Sequence, residues 1–415
     1  MAIQRVMGLG FLLSCQAEPG GQNQADALTW HGQIKPLVER SCAGCHTEGS
    51  VAPFTLETYD EVVAWLPLVV ESVRDKTMPP WLAEPDCNNY VGDFSLSDEE
   101  RESILAWAEA EAPLGEPQPN AGSEMPEADF LPRVDRVLEM PVSYRPSSSA
   151  EEANDYRCFL LDWDEPEATY VEGYRIVPGN LDLVHHVIVY TAPADTAEAF
   201  AAMDAKDPDP GYPCFGGPGV IPQEDATWLG SWAPGALAGP FPDGLGLLVQ
   251  PDTVLIMQVH YYDDGEGGED RSGVELMLAD EVAEVGWVQP FADPNWLYGG
   301  EMILPAQTDG VEHGYDMGFP MNIQFHTAAL HMHTLGQTAR LSIQHADGSE
   351  TCLLEIDRWD FNWQRAYQFV EAQSITAGDQ LSLRCSWDNT TDMDIDWGDG
   401  TDDEMCLGVM LMSFE

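Results

Sequence analysis

The stretch Cys42-Ala43-Gly44-Cys45-His46 decides the fold of the N-terminal part of this 415-residue chain. The pattern C-x-x-C-H is typical of covalent attachment of a c-type haem, with two thioether bonds from the cysteines and an axial bond from the histidine. Met78 follows within Met78-Pro79-Pro80, and its thioether is the expected opposite axial ligand. The sequence therefore predicts one covalently attached haem c held by Cys42, Cys45, His46 and Met78.

The residues around this motif have a helical pattern. Ile34 to Val38 precede the cysteines, Thr58 to Arg74 follow them, and a last helix begins after Ser97. Ser97 with Glu100 three residues later is a capping-box pattern. We predict a small all-α cytochrome c domain over residues 29–118.

The first residues resemble an export signal. The apolar run Val6 to Leu13 is short, and Leu12-Leu13-Ser14-Cys15 resembles a bacterial lipoprotein box, in which the cysteine is lipidated. Plain secretion and the absence of export remain alternatives. The expectation is a signal over residues 1–15, a polar tether over 16–28, and a periplasmic or cell-envelope lipoprotein of a bacterium, tethered to the membrane through lipid on Cys15. Thioether-bound haem and disulfides both belong to such an oxidising compartment.

The composition excludes one class of partner. Lys plus Arg total 17 and Asp plus Glu total 72, so the formal net charge is −55. Such an anionic surface repels phosphate backbones, and nucleic acid is therefore excluded as a partner.

Residues 119–152 are rich in proline and acidic residues and are predicted to be a linker. Beyond it the pattern changes to short β-rich runs separated by turns of Gly, Pro and Asp, which favours β-sandwiches. The runs are Val184 to Tyr190, Val254 to Tyr262, Val274 to Leu278, Met321 to Phe325, Ala339 to Ile343, Leu381 to Cys385 and Met405 to Met412. We predict two all-β sandwich (jelly-roll-like) domains, over residues 153–283 and 284–415, which makes the chain multidomain.

Several histidines of the β-rich part occur in pairs. In His331-Met332-His333, residues i and i+2 of a strand point to the same side, so both imidazoles are able to bind one metal. In His185-His186 the side chains point to opposite sides, and a shared metal requires a bent strand or the use of different ring nitrogens. Neither pair is specific alone, and polar residues on strands remain the alternative.

Four segments carry a family resemblance in their order along the chain. They are Val184-His185-His186, Gln258-Val259-His260-Tyr261, His331-Met332-His333-Thr334-Leu335-Gly336 and Asp403-Glu404-Met405-Cys406. Residues 153–415 resemble the copper type II, ascorbate-dependent monooxygenases, the family of peptidylglycine α-hydroxylating monooxygenase and dopamine β-monooxygenase. Asp360 to Gln364 and Gly378 to Thr390 also resemble the second domain of that family.

The resemblance implies two copper ions. His185, His186 and His260 resemble the all-histidine site that accepts electrons. His331, His333 and Met405 resemble the catalytic site that binds O₂ and faces the substrate, and a soft thioether favours Cu(I) there. A disulfide between Cys385 and Cys406 is also implied. Gln258 resembles a glutamine beside the first site, and a buried strand glutamine is the alternative.

The remaining cysteines are less determined. Cys158 with Cys214 is a weaker expectation, and Cys87 and Cys352 have no predicted partner.

Two departures from the family shape the expected function. The positions that hold a substrate carboxylate in the peptide-hydroxylating relatives are Ala329, Leu407 and Val409 here. A carboxylate would lose its hydration there without compensation, so we expect a different small-molecule substrate. The fused cytochrome is the second departure, and a tethered haem is expected to replace direct reduction by ascorbate.

The predicted function is an oxidoreductase that hydroxylates a C–H bond with O₂. An external donor, an ascorbate-like reductant or a redox protein, would reduce the haem, which would reduce the His185, His186 and His260 copper and then the other copper. The alternative is a non-catalytic haem and copper electron-transfer or copper-binding lipoprotein. A multicopper oxidase is disfavoured because no cysteine of residues 153–415 has histidines at the required local spacing, and no H-E-x-x-H motif of a zinc peptidase occurs.

Overall fold

The computed structural model describes residues 28–48, 52–117, 131–146, 154–219, 226–233, 239–262, 267–398, 400 and 402–415. The predicted export signal, Cys15 and most of the predicted linker lie outside these residues. Among the helices in the described ranges, none combines the length and the apolar character that crossing a membrane requires.

Most helices lie in the N-terminal part of the chain. They are α1 Lys35–Ser41, α2 Tyr59–Ala64, α3 Leu66–Arg74, α4 Asp98–Glu109, α5 Ala197–Asp204 and α6 Pro294–Gly299, and a π-helical turn Trp30–Ile34 leads into α1. The predicted capping box before α4 is confirmed, because the Ser97 side chain accepts from Glu100 N and the Glu100 side chain accepts from Ser97 N. The helix predicted to run from Thr58 to Arg74 is divided at Trp65, since Pro67 has no N–H to donate back into the first segment.

The β-rich part forms four sheets within the described residues. The nine-stranded sheet has the order β1 Arg136–Glu139, β10 Gly273–Ala279, β3 Thr169–Val177, β8 Leu245–Val249, β11 Glu284–Phe291, β20 Leu407–Phe414, β14 Ile323–His331 and β17 Tyr367–Ile375, with β7 Gly239–Pro240 beside β3. The five-stranded sheet has the order β5 Tyr212–Pro213, β2 Asn154–Leu161, β9 Val254–Tyr262, β4 Val184–Ala192 and β6 Thr227–Trp232. The four-stranded sheet has the order β13 Thr308–Gly318, β18 Gln380–Asn389, β15 Gly336–Gln344 and β16 Glu350–Ile356, and β12 Ile303–Leu304 pairs with β19 Ile395–Asp396.

Two apolar cores hold these sheets together, as expected for β-sandwiches. One lies between the nine-stranded and five-stranded sheets and contains Val187 and Val259. The other lies between the nine-stranded and four-stranded sheets and contains Leu341 and Leu383. The nine-stranded sheet is shared, because β8 and β11 pair in parallel across the predicted boundary at residue 283. The domain boundaries stay predictions.

Residues 81–94, between α3 and α4, pack into the C-terminal core. Trp81, Tyr90 and Phe94 belong to the same buried cluster as Tyr367 and Phe369. The backbone of this segment also joins β17, because Val91 N donates to Gln368 O at 2.8 Å and Val370 N donates to Asn89 O at 3.0 Å. The helical part is therefore held firmly against the C-terminal sheets.

Three disulfides are present. Cys385 pairs with Cys406, and Cys158 pairs with Cys214. The third joins Cys87 to Cys352, two residues for which the sequence indicated no partner. This last bridge links segment 81–94 to β16 across 265 residues of sequence, so it could not be inferred from local spacing.

Candidate metal centres

Three histidines of the five-stranded sheet converge through the same type of nitrogen. His186 Nδ1 lies 3.3 Å from His185 Nδ1 and 3.3 Å from His260 Nδ1. One nitrogen from each of the three rings lies within 4.8 Å of the others. Two imidazole nitrogens at about 2.0–2.1 Å from one ion, at a tetrahedral angle, are themselves about 3.3 Å apart. The spacing therefore fits three ligands of a single metal ion.

A bulge in β4 explains how two adjacent histidines reach one point. The pairing of β4 with β9 shifts register between Val184 and His186, and His186 lies opposite His260. A bulge places an extra residue in one strand and turns its side chain. The strand is therefore bent here, so that His185 and His186 are able to share one site. Both rings direct Nδ1 toward that site.

Neighbouring residues of β2 hold His260 in place. Asn154 Oδ1 lies 2.8 Å from His260 Nε2, so Nε2 donates the proton and Nδ1 keeps a lone pair for a metal. Tyr156 stacks on the His260 ring at 4.0 Å with an interplanar angle of 7°. Neither residue was identified from the sequence. Their positions follow from the register of β2 against β9, which pairs Tyr156 with His260.

His331 and His333 are both oriented through Nδ1. Gln364 Nε2 donates to Phe361 O at 2.8 Å, which turns Gln364 Oε1 toward His331 Nδ1. His333 Nδ1 lies 2.9 Å from Asp403 O. Because each Nδ1 donates to an oxygen, each Nε2 keeps its lone pair. The two ring centroids lie 5.1 Å apart, so the pair presents two Nε2 ligands.

Met405 is connected to this pair by Glu404. The Glu404 side chain is fully buried and accepts from His333 N at 2.9 Å, Leu335 N at 2.6 Å and Trp387 Nε1 at 2.9 Å. Met405, at 8% exposure, follows directly and precedes β20. One carboxylate thus ties the chain at His333 to the chain at Met405. The sequence contained Glu404 within a motif but did not indicate this role.

Phe361 lies between the two groups of histidines. Its ring centroid is 5.1 Å from His185 and 6.0 Å from His333. The five-stranded sheet and the β14 histidines therefore approach each other through one aromatic side chain. This proximity arises from the packing of the sheets.

Burial keeps these imidazoles neutral. It lowers the pKa of His185, and it lowers the pKa of His186 and His260 well below the ordinary value. For His331, burial lowers the pKa to about 3. Neutral imidazole is the metal-binding form. His185, His186, His260 and His331 are therefore ready to bind a metal without first losing a proton.

The residues of the C-x-x-C-H motif also fit their predicted group. The three disulfides leave Cys42 and Cys45 as thiols, and burial raises the pKa of Cys42 to about 12. His46 Nδ1 lies 3.0 Å from Phe54 O, which leaves the lone pair on Nε2 for an iron. Met78 is half-buried, and its carbonyl accepts from Arg101 Nη1 at 3.3 Å. The haem ligands stay predictions.

Ala329, Leu407 and Val409, the apolar residues for which the sequence indicated no carboxylate binding, lie beside His331. Ala329 pairs with Val409, and His331 pairs with Leu407, in the ladder between β14 and β20. Residues two apart on each strand share a side, so Ala329, Leu407 and Val409 are side by side with His331. All three are half-buried, and they make an apolar surface next to this histidine.

Gln258 and three further histidines of the β-rich part have structural partners. Gln258 Nε2 donates to Cys214 O at 2.7 Å and so holds the loop after β5 rather than a histidine of the site. His326 Nε2 lies 2.8 Å from Ser413 Oγ, and His345 Nε2 lies 2.8 Å from Thr351 Oγ1. His313 belongs to neither histidine group, because its Nε2 contacts Ile303 O at 3.1 Å.

One segment of the C-terminal part matches a known family model. Residues 306–412 match the family model of the copper type II ascorbate-dependent monooxygenase, C-terminal domain. This segment of the chain is therefore similar to a domain of that family.

The chain is also similar to individual proteins. The chain is similar to DBH-like monooxygenase protein 1 of Homo sapiens, at 28% identity over 254 residues, and to that of Mus musculus, at 27% over 256 residues. Each match covers 56% of this chain and 40% of the relative, so the chain spans about 40% of the length of these curated relatives.

Likeness to solved structures is weak. The major capsid protein P2 from bacteriophage PM2 has a TM-score of 0.26 at 10% identity and covers 67% of this chain and 97% of its own. N-glycanase F has a TM-score of 0.29 at 11% identity and covers 66% and 95%. Such scores assign neither fold nor function.

Proposed function

We propose that the chain is a copper monooxygenase that inserts one oxygen atom of O₂ into a C–H bond of a small-molecule substrate other than peptidylglycine. Electrons would come from an external donor through a haem c on Cys42 and Cys45. The observation that carries the proposal is the arrangement of two metal-ready histidine groups on either side of Phe361.

The two groups differ in ways that suit different tasks. His185, His186 and His260 present three Nδ1 atoms, whereas His331 and His333 present Nε2 atoms. Met405 belongs to the chain just before β20. Bound copper would supply one-electron transfer at the first group and oxygen chemistry at the second. The protein holds His260, His331 and His333 each in one tautomer, through Asn154, Gln364 and the Asp403 carbonyl respectively.

The apolar surface beside His331 supports a substrate without a carboxylate. Ala329, Leu407 and Val409 offer no side-chain donor or positive charge. A carboxylate placed against them would lose water without gaining a partner, while an apolar C–H group would gain by leaving water. We propose an uncharged or largely apolar group as the part of the substrate that faces this copper.

The haem and the location belong to the same proposal. The thiols of Cys42 and Cys45 and the oriented ring of His46 support covalent haem. Such attachment and the three disulfides favour an exported, oxidising compartment. We therefore propose a periplasmic or cell-envelope protein, with Cys15 as the lipidated residue.

The test uses the full-length, haem-loaded and copper-loaded protein. Incubation with a pool of metabolites and ¹⁸O₂ is expected to give products that carry one ¹⁸O atom. Reduced haem should also be reoxidised faster by O₂ in copper-loaded than in copper-free protein.

A matched pair of variants completes the test. Met405→Ala should abolish the oxygenated product while haem reduction continues, and Met393→Ala, which removes a methionine that is 68% exposed, should leave the yield unchanged. Oxygenated product from Met405→Ala at the wild-type rate would refute the site. Copper binding without any ¹⁸O product would instead favour a non-catalytic electron-transfer protein.

A further inference from the structure

Trp81 lies where the helical part of the chain meets the C-terminal core. It follows Met78, the predicted haem ligand, by three residues, and Trp81 N donates to Pro79 O at 2.9 Å, so the chain turns tightly between them. The Trp81 side chain is buried and belongs to the C-terminal cluster. Trp81 is the first residue after Met78 to do so, and it therefore connects the predicted haem ligand with that core.

The indole of Trp81 packs against the loop formed by residues 361–365. The guanidinium carbon of Arg365 lies 4.8 Å from the indole centroid. Tyr367, the first residue of β17, meets the indole edge to face at a centroid distance of 5.0 Å. Arg365 Nε and Nη1 are shielded from solvent. Trp81 and Arg365 are therefore in a dry, direct packing contact.

From Arg365 onward, the connection to His331 is bonded throughout. Gln364 is joined to Arg365 by a peptide bond, and Gln364 Oε1 accepts from His331 Nδ1. His331 Nε2 keeps its lone pair for a metal. Between Trp81 and that lone pair lie a single packing contact, the covalent bonds of Arg365 and Gln364, and a single hydrogen bond.

The same loop has a weaker connection to the other histidine group. Phe361 stacks on His185 at a centroid distance of 5.1 Å, and Phe361 O accepts from Gln364 Nε2 at 2.8 Å. The link from Phe361 to His185 is thus a ring contact without a bond. Electronic coupling is stronger through covalent bonds, hydrogen bonds and close-packed atoms than across empty space, and buried side chains are close-packed. The loop therefore couples Trp81 more strongly to His331 than to His185.

We propose that Trp81 passes an electron from the haem directly to the copper at His331, without the copper at His185 as an intermediate. The inference rests on the haem and the two coppers of the proposed function. In this step ferrous haem loses one electron and becomes ferric, and Cu(II) gains that electron and becomes Cu(I), with no bond or proton transferred. The order differs from the one expected from the sequence, in which the copper at His185 is reduced first.

The first experiment asks which copper receives the electron. Full-length protein carrying haem and Cu(II) is kept free of O₂, and the haem is reduced by a small reductant generated in a flash. Haem absorption follows the reoxidation of the haem, and rapid-freeze electron paramagnetic resonance follows the loss of each Cu(II). His186→Asn, which removes a ligand of the copper at His185, should keep the fast phase of haem reoxidation, and His331→Asn should lose it. A fast phase that survives in His331→Asn, or that is lost in His186→Asn, would overturn the inference.

The second experiment tests Trp81 itself. Trp81→Leu opens a gap beside Arg365 and should lose the fast phase, with copper content and haem reduction potential unchanged. Trp81→Phe keeps a ring in place and should keep the phase. The matched control is Trp296→Leu, which removes another buried tryptophan of the same core and should also keep it.

A further variant is available if Trp81→Leu fails to fold. Arg365→Ala opens the same gap from the loop side and should also lose the fast phase. Reoxidation at the wild-type rate in folded Trp81→Leu or Arg365→Ala would contradict the proposal and leave Trp81 as a packing residue.

Haem and copper are measured separately, from the mass of the peptide that contains Cys42 and Cys45 and from metal analysis. Absence of haem or of copper overturns this inference together with that cofactor of the proposed function. Both cofactors with a Trp81-independent rate of haem reoxidation overturn the inference alone.

Discussion

Replacing Glu404 with alanine is expected to loosen the connection between His333 and Met405. Glu404 is fully buried, and its carboxylate accepts from His333 N, Leu335 N and Trp387 Nε1 at 2.6 to 2.9 Å. Alanine removes both carboxylate oxygens, which are the acceptors of these hydrogen bonds. The turn after β14 would then lose the side chain that ties it to the chain before β20.

The size of the effect follows from the donors left behind. His333 N and Trp387 Nε1 make buried hydrogen bonds, and each unsatisfied donor costs about 1–3 kcal/mol, which gives about 2–6 kcal/mol for two. Part of this cost is offset, because the substitution also removes a buried carboxylate. Burial raises the pKa of Glu404, which means that its charged form is disfavoured in the folded protein. We expect the free energy of unfolding to fall by about 3 kcal/mol, against a typical total of about 5–15 kcal/mol. Glu404→Gln keeps one acceptor and should lose about 1 kcal/mol.

The assay combines two measurements on copper-free protein. Denaturant unfolding gives the change in free energy, and amide hydrogen exchange reports on the peptide that contains His333 and Leu335. Glu404→Ala should lose protection at these amides specifically. Copper affinity should fall by about 10- to 100-fold, as for other residues that orient ligands. The matched control is Glu371→Ala, at an exposed position, which should change the free energy by less than about 0.5 kcal/mol.

One result would refute this reasoning. If Glu404→Ala unfolds within about 0.5 kcal/mol of the Glu371→Ala control and keeps its amide protection at His333, then the carboxylate does not hold the turn. The hydrogen bonds from His333 N, Leu335 N and Trp387 Nε1 would then be replaceable by water.

Two further predictions concern pH and the disulfide to the helical part. Copper-free protein should lose stability as pH falls below about 6.5, because unfolded histidines take up protons that the buried His186, His260 and His331, with lowered pKa values, do not. Thermal unfolding between pH 7.5 and 5 measures this loss of stability. If the stability of His260→Asn falls with pH as steeply as that of the wild-type protein, the explanation is contradicted. Replacing Cys87 and Cys352 together with serine should cost about 2–5 kcal/mol in denaturant unfolding, because the bridge closes a long loop in the unfolded chain. A loss below about 1 kcal/mol would indicate that segment 81–94 is held by its packing alone.

The sequence was sufficient where the signal is local. The capping box of Ser97 and Glu100 needs only residues three apart, and the strand runs that contain His185 and His260 show as β-rich segments between turns. The residue types of the candidate ligands are also local information, since imidazole and thioether suit copper wherever they lie. The haem motif Cys42 to His46 is also a local signal, and the haem that it indicates stays a prediction.

The sequence was insufficient where residues far apart must meet. Asn154, Gln364 and Glu404 orient their histidines from elements 106, 33 and 71 residues away in sequence. An asparagine, a glutamine or a buried glutamate has no pattern that marks this role before the register of the strands is known.

The sequence by itself determined the local elements and the chemistry that their side chains are able to perform. Only the tertiary structure decided that segment 81–94 packs in the C-terminal core, that Phe361 lies between two histidine groups, and that the Arg365 guanidinium packs against Trp81 and Phe94. The physical reason is that side-chain periodicity reports which side of an element is buried, whereas the partner on that side is chosen by the packing of the whole chain.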